Sequence, residues 1–419
     1  CLSARRPILV VRGLGRALLC RAVCPLLRAS FFTCMVQYLL GDGVVAAPMA
    51  VTLSRSSDEQ ALQLASTVCD AARRCAAKLH ALGTNCSCRA VDRWRKHLNA
   101  GDGPNGDGCV QQDPGCAILM ESHRLQLAHV RGTKEADCFL MVVHAHNPPY
   151  HGRWVNEGDV VSDSIRTGGF WEPELSTLAG IEQLAGVRLP RRGTLLDIGS
   201  QVGAISFAFA ARHYRVFAIE PMLRNRLAMT GTACVSPLLH PRVTVLPVAI
   251  AAPDAPRPCK VSSDESNRGN GFLTCGPSVG VCGRQIRGSL CTNVATSTLD
   301  AVLAATDELE AVDIVKLDVE GSECMVLEHG TTLFTRYRPG LLLIEARLPH
   351  TAHCIGRAAF VHGYHLKANI PKKNIWSGLA VLTRRDGNET LTSSCTGHPG
   401  LCENMTQGAD PVNSGRNSG

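Results

Sequence analysis

The pattern that most limits this chain is an alternation, from about residue 138 onward, between short apolar runs and helical stretches. Thr194-Leu-Leu-Asp-Ile198, Arg215-Val-Phe-Ala-Ile219, Val243-Thr-Val-Leu-Pro-Val248, Val312-Asp-Ile-Val-Lys-Leu317 and Leu341-Leu-Leu-Ile344 read as strands. Runs that are apolar at nearly every position belong to strands covered on both faces. Helical patterns near 202–212, 222–233, 323–336 and 352–362 separate most of them. Two further runs, near 363–369 and 378–384, flank a Pro-Lys-Lys-Asn turn and read as a closing hairpin. Strands alternating with helices predict a doubly wound, mostly parallel α/β sheet, here of seven strands.

The remaining sequence sorts by charge and cysteine. The 419-residue chain has room for two or three domains and carries a formal charge of +7. Six of the positive charges, Arg5, Arg6, Arg12, Arg16, Arg21 and Arg28, precede the first acidic residue, Asp42. The other 37 basic and 36 acidic residues nearly cancel, so no nucleic-acid partner is expected on electrostatic grounds. The Arg-rich start leads into the apolar run 31–40, the break Gly41-Asp-Gly43 and a small-residue stretch, which is the order of a signal peptide. A spanning anchor would have to include Asp42, and an organellar transit peptide is the other alternative. Residues 1–50 are therefore expected to be a targeting segment, directing the protein to the secretory pathway or a membrane-associated location, or to an organelle. Any membrane contact would pass through that possible anchor.

Residues 51–137 read as a small Cys-rich, mainly helical region, with helix over 58–82 and a Gly- and Pro-bearing linker at 99–116. The sheet domain is expected at 138–384, with a long insertion at 253–295, and 385–419 as a disordered tail. Seven cysteines fall in 69–138 and four in the insertion, which points to disulfides and an oxidising compartment. No C-x2-C pair accompanies them, so zinc is not assigned. Cross-linked, the insertion would form an ordered lid; otherwise it is a variable loop with incidental thiols.

Chemistry enters at Asp197-Ile-Gly199-Ser-Gln-Val-Gly203, which follows the first strand and opens a helix. Open α/β sheets bind nucleotides there, beyond the carboxyl ends of the strands. Gly199 and Gly203 suit a tight turn and close backbone approach. Glu220-Pro221 ends the next strand, where a carboxylate can accept the two hydroxyls of an adenosine ribose. The dinucleotide fingerprint needs a glycine where this chain has Gln201, so a nicotinamide cofactor is disfavoured. Asp197 ahead of the loop would repel a pyrophosphate and tolerate the sulfonium and amino groups of S-adenosylmethionine.

Lys316-Leu-Asp318-Val-Glu320-Gly-Ser-Glu323 forms a second constellation. Alternation would put Lys316, Asp318 and Glu320 on one side of the fourth strand, and charges at the end of a buried parallel strand signal a site. Asp318 is the first candidate for a general base or for orienting an acceptor, Glu320 the next, with Lys316 tuning both by pairing. The plainer alternative is that Glu323 and Lys316 cap the next helix and form an ion pair. A metal would need a third ligand beside Asp318 and Glu320, and none is visible, so no metal is assigned. His144-Ala-His146, on a strand, reads as surface histidines rather than as a metal site with His151. Arg191-Arg192 reads as a solvated approach to the first strand.

These motifs together resemble the FkbM-type family of S-adenosylmethionine-dependent methyltransferases. The resemblance covers roughly 140–384. It rests on Ser164-Ile-Arg-Thr-Gly-Gly-Phe-Trp-Glu-Pro-Glu174, Leu196 to Gly203, Ile219-Glu-Pro221, Val248-Ala-Ile250, Thr298-Leu-Asp300, Val312 to Glu323, and Arg338-Pro339 through Ile344-Glu345. It implies a class I, Rossmann-like fold and O-methylation of a hydroxyl on a sugar, glycan or small molecule. It also implies cofactor contacts from Asp197, Gly199 and Gly203 to the methionine part, Glu220 at the ribose and Val248 with Ala249 at the adenine, with Glu172, Ser200, Gln201 and Pro221 among the cofactor-binding residues. Trp171-Glu172 would close the site. A secreted binding module that kept the fold and lost catalysis is the alternative, with an NAD(P)-dependent oxidoreductase less favoured.

Overall fold

The computed structural model describes residues 55–81, 124–145 (except 135 and 137), 159–264, 267–277, 289–346, 349–371 and 378–385. The expected targeting segment, the 99–116 linker and the tail beyond 385 lie outside the described residues.

Helix α1, Arg55–Ala81, opens the described part of the Cys-rich region. Its buried residues Ala65, Val68, Cys69, Ala71, Ala72, Cys75 and Ala76 recur mostly at three- and four-residue steps and share one side of the helix. All are small, which lets the helix lie close against its neighbour. An antiparallel hairpin follows, β1 (Leu125–Val130) with β2 (Phe139–His144), Leu125 opposite His144. The boundary expected at 137/138 thus cuts a hairpin, and the region ahead of it is not wholly helical. Packing across β1 and β2 makes this segment part of the same core as the sheet.

Helices α2 (Val160–Gly168) and α3 (Leu178–Ala185) are capped by Asp159 and Thr177, and each ends on a left-handed glycine, Gly169 and Gly186. The chain then alternates as β3 (Thr194–Ile198), α4 (Ala204–Ala211), β4 (Arg215–Ile219), α5 (Leu223–Val235) and β5 (Val243–Leu246). Pro247 stops β5 short of Val248, because proline has no N–H for the ladder. Ala249–Ile250 forms a separate short strand, β6. The insertion is an antiparallel three-stranded sheet, β7 (Cys259–Asp264), β8 (Phe272–Cys275) and β9 (Ser289–Asn293), in the order β8-β7-β9. β10 (Thr296–Ser297) pairs with β6. Next come α6 (Leu299–Ala305), β11 (Ile314–Leu317), α7 (Glu323–Glu328), β12 (Leu341–Ala346), α8 (Pro349–His362), β13 (Tyr364–Pro371) and β14 (Gly378–Arg384). The single helix expected over 323–336 is broken: α7 ends at Glu328, and a π-helical turn takes over at Leu333–Tyr337. Gly330 lies between them, packed so tightly on Leu299 that a Cβ would sit 2.7 Å from its Cδ2.

The main sheet runs β13-β14-β12-β11-β3-β4-β5, parallel except for β14, which is antiparallel to both neighbours. Strand alternation feeds two cores. Leu195, Val216, Ile314 and Leu343 face one with α1 to α5, whereas Leu196, Phe217, Val315 and Ile344 face the other with α6 to α8. Helices therefore cover both faces, as the unbroken apolar runs require. Among the described residues no helix is long and apolar enough to cross a membrane.

Disulfides pin this arrangement at three described places. Cys69–Cys234 ties α1 to α5, Cys259–Cys275 bridges directly opposed residues of the insertion sheet, and Cys324–Cys354 joins α7 to α8. The first spans 165 residues, so it removes much chain freedom from the unfolded state. Replacing Cys69 and Cys234 together by Ala is expected to lower unfolding stability by about 2–5 kcal/mol. A urea midpoint equal to that of the parent would refute that contribution.

Candidate functional site

From β3 the crossovers lead one way to β4 and β5, and later ones lead the other way to β11 and β12. At such a reversal a crevice opens beyond the carboxyl ends of the two central strands. A cavity of about 960 Å³ lies there, walled by the ends of β3, β4, β11 and β12, by the segment before α3 and by the insertion.

The glycine loop forms one wall. Gly199 has φ +82°, and a Cβ on it would lie 1.8 Å from the carbonyl oxygen of Asp318. Only glycine fits both the conformation and the approach of β11. Its N–H and that of Ser200 donate to Ile219 O at 3.0 and 3.2 Å, fixing the loop to β4. Gln201 also takes a left-handed conformation, φ +53°. Its N–H donates to Glu220 Oε2 at 2.8 Å, and Met222 N–H donates to Glu220 Oε1 at 2.8 Å. Glu220 is thus buried with each oxygen holding one backbone donor and retaining lone-pair capacity on the cavity side. Burial pushes its carboxyl up to about 7, against those hydrogen bonds.

The second wall is the end of β11. Register aligns Asp197, Lys316 and Leu343 on one sheet face, so the next row on that face is Gly199, Asp318 and Glu345, with Leu379 opposite Glu345. Lys316 Nζ donates to Gly199 O at 2.8 Å and lies 3.3 Å from Asp318 Oδ2 and 3.7 Å from Asp197 Oδ1. Burial opposes its charge, but the carboxylates of Asp318 and Asp197 hold the ammonium above its ordinary range. The strand ends at Leu317, and Glu320 has φ +54° in the turn that follows. Glu320 therefore does not reach the site by strand alternation, as the sequence pattern implied. The left-handed turn instead brings its carboxylate within 4.8 Å of those of Asp318 and Glu345. Glu323 accepts from Val319 N–H and Gly321 N–H at 3.0 and 3.1 Å, bracing this turn, while Lys316 pairs with Asp197 and Asp318.

Glu345 was not singled out as a site residue. It is the third carboxyl of the cluster, a spacing open to a divalent cation, and it lies beside Asp318. Burial and the nearby charges of Asp318 and Glu320 raise it to about 9. Its signal in the sequence was a charge ending a buried strand, the same sign that marked Asp318.

Asp159 was also missed. Its Oδ1 accepts from Gln201 Nε2 and from Gly269 N–H, both at 2.9 Å, and its Oδ2 accepts from Ser162 N–H at 2.9 Å and Ser162 Oγ at 2.6 Å. One buried carboxylate thereby joins the glycine loop, the start of α2 and the insertion. Gly269 O accepts from Asn225 Nδ2 at 2.9 Å, and Asn225 Oδ1 meets His144 Nε2 at 2.8 Å. His144 is therefore buried in a polar chain, correcting the expectation of a surface histidine; burial lowers its pKa. His146 and His151 lie outside the described residues. Arg191 and Arg192 are exposed.

Of the residues expected at the site, Glu172, Gly199, Ser200, Gln201, Glu220, Pro221, Val248, Ala249, Lys316, Asp318 and Glu320 line this one cavity, as does Trp171. Asp197 and Gly203 do not. Asp197 is fully buried, accepting from Ser206 Oγ at 2.6 Å and pairing with Lys316, so it acts through Lys316. Gly203 starts α4, and a Cβ there would meet the Phe207 ring at 2.9 Å. The insertion lines the cavity through Val261, Asn267, Gly269 to Gly271 and Leu273.

Residues 197–366 match the model of the methyltransferase FkbM domain. No curated protein matches the chain significantly. Among solved structures, TrmK of M. capricolum with S-adenosyl-homocysteine is 12% identical, covering 50% of this chain and 70% of its own, with a TM-score of 0.29. The C-terminal domain of precorrin-6Y C5,15-methyltransferase from Rhodobacter capsulatus is 14% identical, covering 48% and 85%, with a TM-score of 0.28. The METTL16 methyltransferase domain is 10% identical, covering 64% and 94%, with a TM-score of 0.31. Likenesses this loose carry no chemistry over.

Two outcomes follow from the geometry. Asp159→Ala removes the acceptor shared by Gln201 and Gly269, so amide exchange at 267–271 should quicken by tenfold or more; unchanged protection would show that Asp159 does not hold the insertion. Glu220 and Glu345 are both raised on folding, so their contribution is full below the unfolded carboxyl range. It is lost as pH climbs through about 7 and then about 9. Urea midpoints from pH 5 to 10 should fall across that window, and Glu345→Gln should flatten its upper part.

Proposed function

We propose that this chain, whose residues 197–366 match the FkbM methyltransferase domain, is an S-adenosylmethionine-dependent O-methyltransferase acting on a hydroxyl of a sugar, glycan or small molecule. One observation carries this reading: the glycine loop, the buried Glu220 and the Asp318 cluster share one cavity at the sheet's reversal point. The same wall suits the donor. Glu220 offers two oriented oxygens to a ribose diol, Val248 and Ala249 offer an apolar flank to an adenine, and the surrounding carboxylates suit a sulfonium.

When bound, S-adenosylmethionine supplies an electrophilic methyl carbon on a cationic sulfur. The protein's part is positioning and proton handling. Lys316 fixes Gly199 and Asp318 relative to each other through one ammonium, so loop and acceptor side keep a constant spacing. Asp318, about a third exposed toward the cavity, accepts the proton of the attacking hydroxyl. Glu345, beside Asp318, orients that carboxylate, and Glu320 stands close to both. Trp171 and Glu172 border the mouth, and the insertion screens the site from water. The three described disulfides favour an oxidising compartment, in keeping with a secretory route.

Isothermal titration with S-adenosylmethionine and with NAD separates the readings: binding of the first alone is expected, and binding of neither would leave a fold without this function. In a transfer assay with labelled donor, Asp318→Asn should cost about 10²–10⁴-fold in turnover with donor affinity kept within a few fold. An unchanged rate removes Asp318 from the proton step. Donor affinity should also fall as pH drops through about 7, where Glu220 gains its proton, and Glu220→Gln should abolish that dependence.

A further inference from the structure

The geometry points to a charge filter: the cavity admits only methyl acceptors free of phosphate, sulfate and carboxylate groups, a specificity that rests on the methyltransferase reading above. Two independent observations carry it. The first is the charge of the wall. Among the described residues that line it, the carboxyls of Glu172, Glu174, Asp318 and Glu320, joined by those of Glu220 and Glu345 when these ionise, face a single basic group, Lys316, and neither Arg nor His is present. Lys316 is already held by Gly199 O, Asp318 and Asp197, so it is not offered to an incoming anion. Two nearby, partly buried arginines are turned to the protein: Arg226 donates to the carbonyls of Glu220 and Pro221, and Arg224 to Ser263 Oγ.

The second observation concerns backbone donors. An anion in a glycine loop is normally cradled by N–H groups. Here Gly199 and Ser200 N–H donate to Ile219 O, and Gln201 and Met222 N–H to the carboxylate of Glu220. Val319 and Gly321 N–H donate to Glu323, and Gly269 N–H to Asp159. Three buried protein carboxylates thus occupy donors that a phosphate would need. Apolar walls from Leu175, Leu184 and Leu379 lower the local dielectric and strengthen the repulsion. A cationic donor and a neutral or cationic acceptor fit this field, and a nucleic-acid backbone does not.

The test delivers an anion on a scaffold that the site should recognise. Binding of adenosine and of adenosine 5′-monophosphate is measured by titration calorimetry on the full oxidised chain in chelator, with S-adenosylmethionine titrated in the same buffer. The monophosphate should bind at least about tenfold more weakly than adenosine. The gap should narrow in Glu320→Gln and with added salt. Equal or tighter binding of the monophosphate overturns the filter while leaving the donor site standing. Failure of S-adenosylmethionine to bind overturns the underlying reading instead. In a second arm, tritiated donor is offered with acceptor extracts divided beforehand on an anion exchanger. Label in the unretained pool is expected, and label confined to the salt-eluted pool refutes the filter.

Discussion

One buried ammonium organises the functional end of this molecule. Lys316 stands where the two central strands meet, bonded to Gly199 O and paired with Asp197 and Asp318. An isolated charge at that depth would be strongly penalised by desolvation, and two carboxylates offset the penalty. Because its partners belong to different strands, the glycine loop and the acidic turn cannot shift independently. Gly199 has no room for a side chain because of the same closeness, its Cα facing the Asp318 carbonyl. Charge pairing and steric fit therefore impose one spacing between the two halves of the cavity.

The surrounding polar groups extend that rigidity outward. His144, Asn225, Gly269, Asp159 and Ser162 form a closed circuit, since Ser162 Oγ also accepts from His144 N–H at 3.0 Å. Its members come from β2, α5, the insertion and the start of α2, and each is buried, so breaking one bond strands a partner away from water. The insertion is thus not a loose appendage. It is cross-linked through Cys259 and Cys275, and Gly269 ties it to the start of α2 and to α5. Backbone strain gathers at the same place: Glu172, Gln201 and Glu320, all left-handed without being glycine, line the cavity.

Much of this was legible from local pattern, and the exceptions have physical causes. Strand positions followed from apolar runs, because a strand buried on both faces has no choice of composition. Gly199, Glu220 and Asp318 were recognisable because each breaks that rule at a strand end. Asp159 and Glu345 act through neighbours distant in sequence, and spacing along a chain cannot report a register partner. His144 looked exposed because a polar residue at a strand terminus is usually solvated; its partner Asn225 lies 81 residues away. The insertion's antiparallel sheet escaped notice because its strands are short and polar, with Ser, Thr and Lys where a buried strand would carry Leu or Val.

The bridge from Cys69 to Cys234 has a topological meaning beyond its effect on stability. It encloses the hairpin, the first two strands of the main sheet and the whole glycine loop within one covalent ring. A single backbone cut anywhere between those two cysteines opens the ring without dividing the molecule. The nicked protein migrates as one piece until a reductant separates the fragments. The segment ahead of the sheet therefore remains attached to the half that carries the cavity by sulfur as well as by peptide bonds.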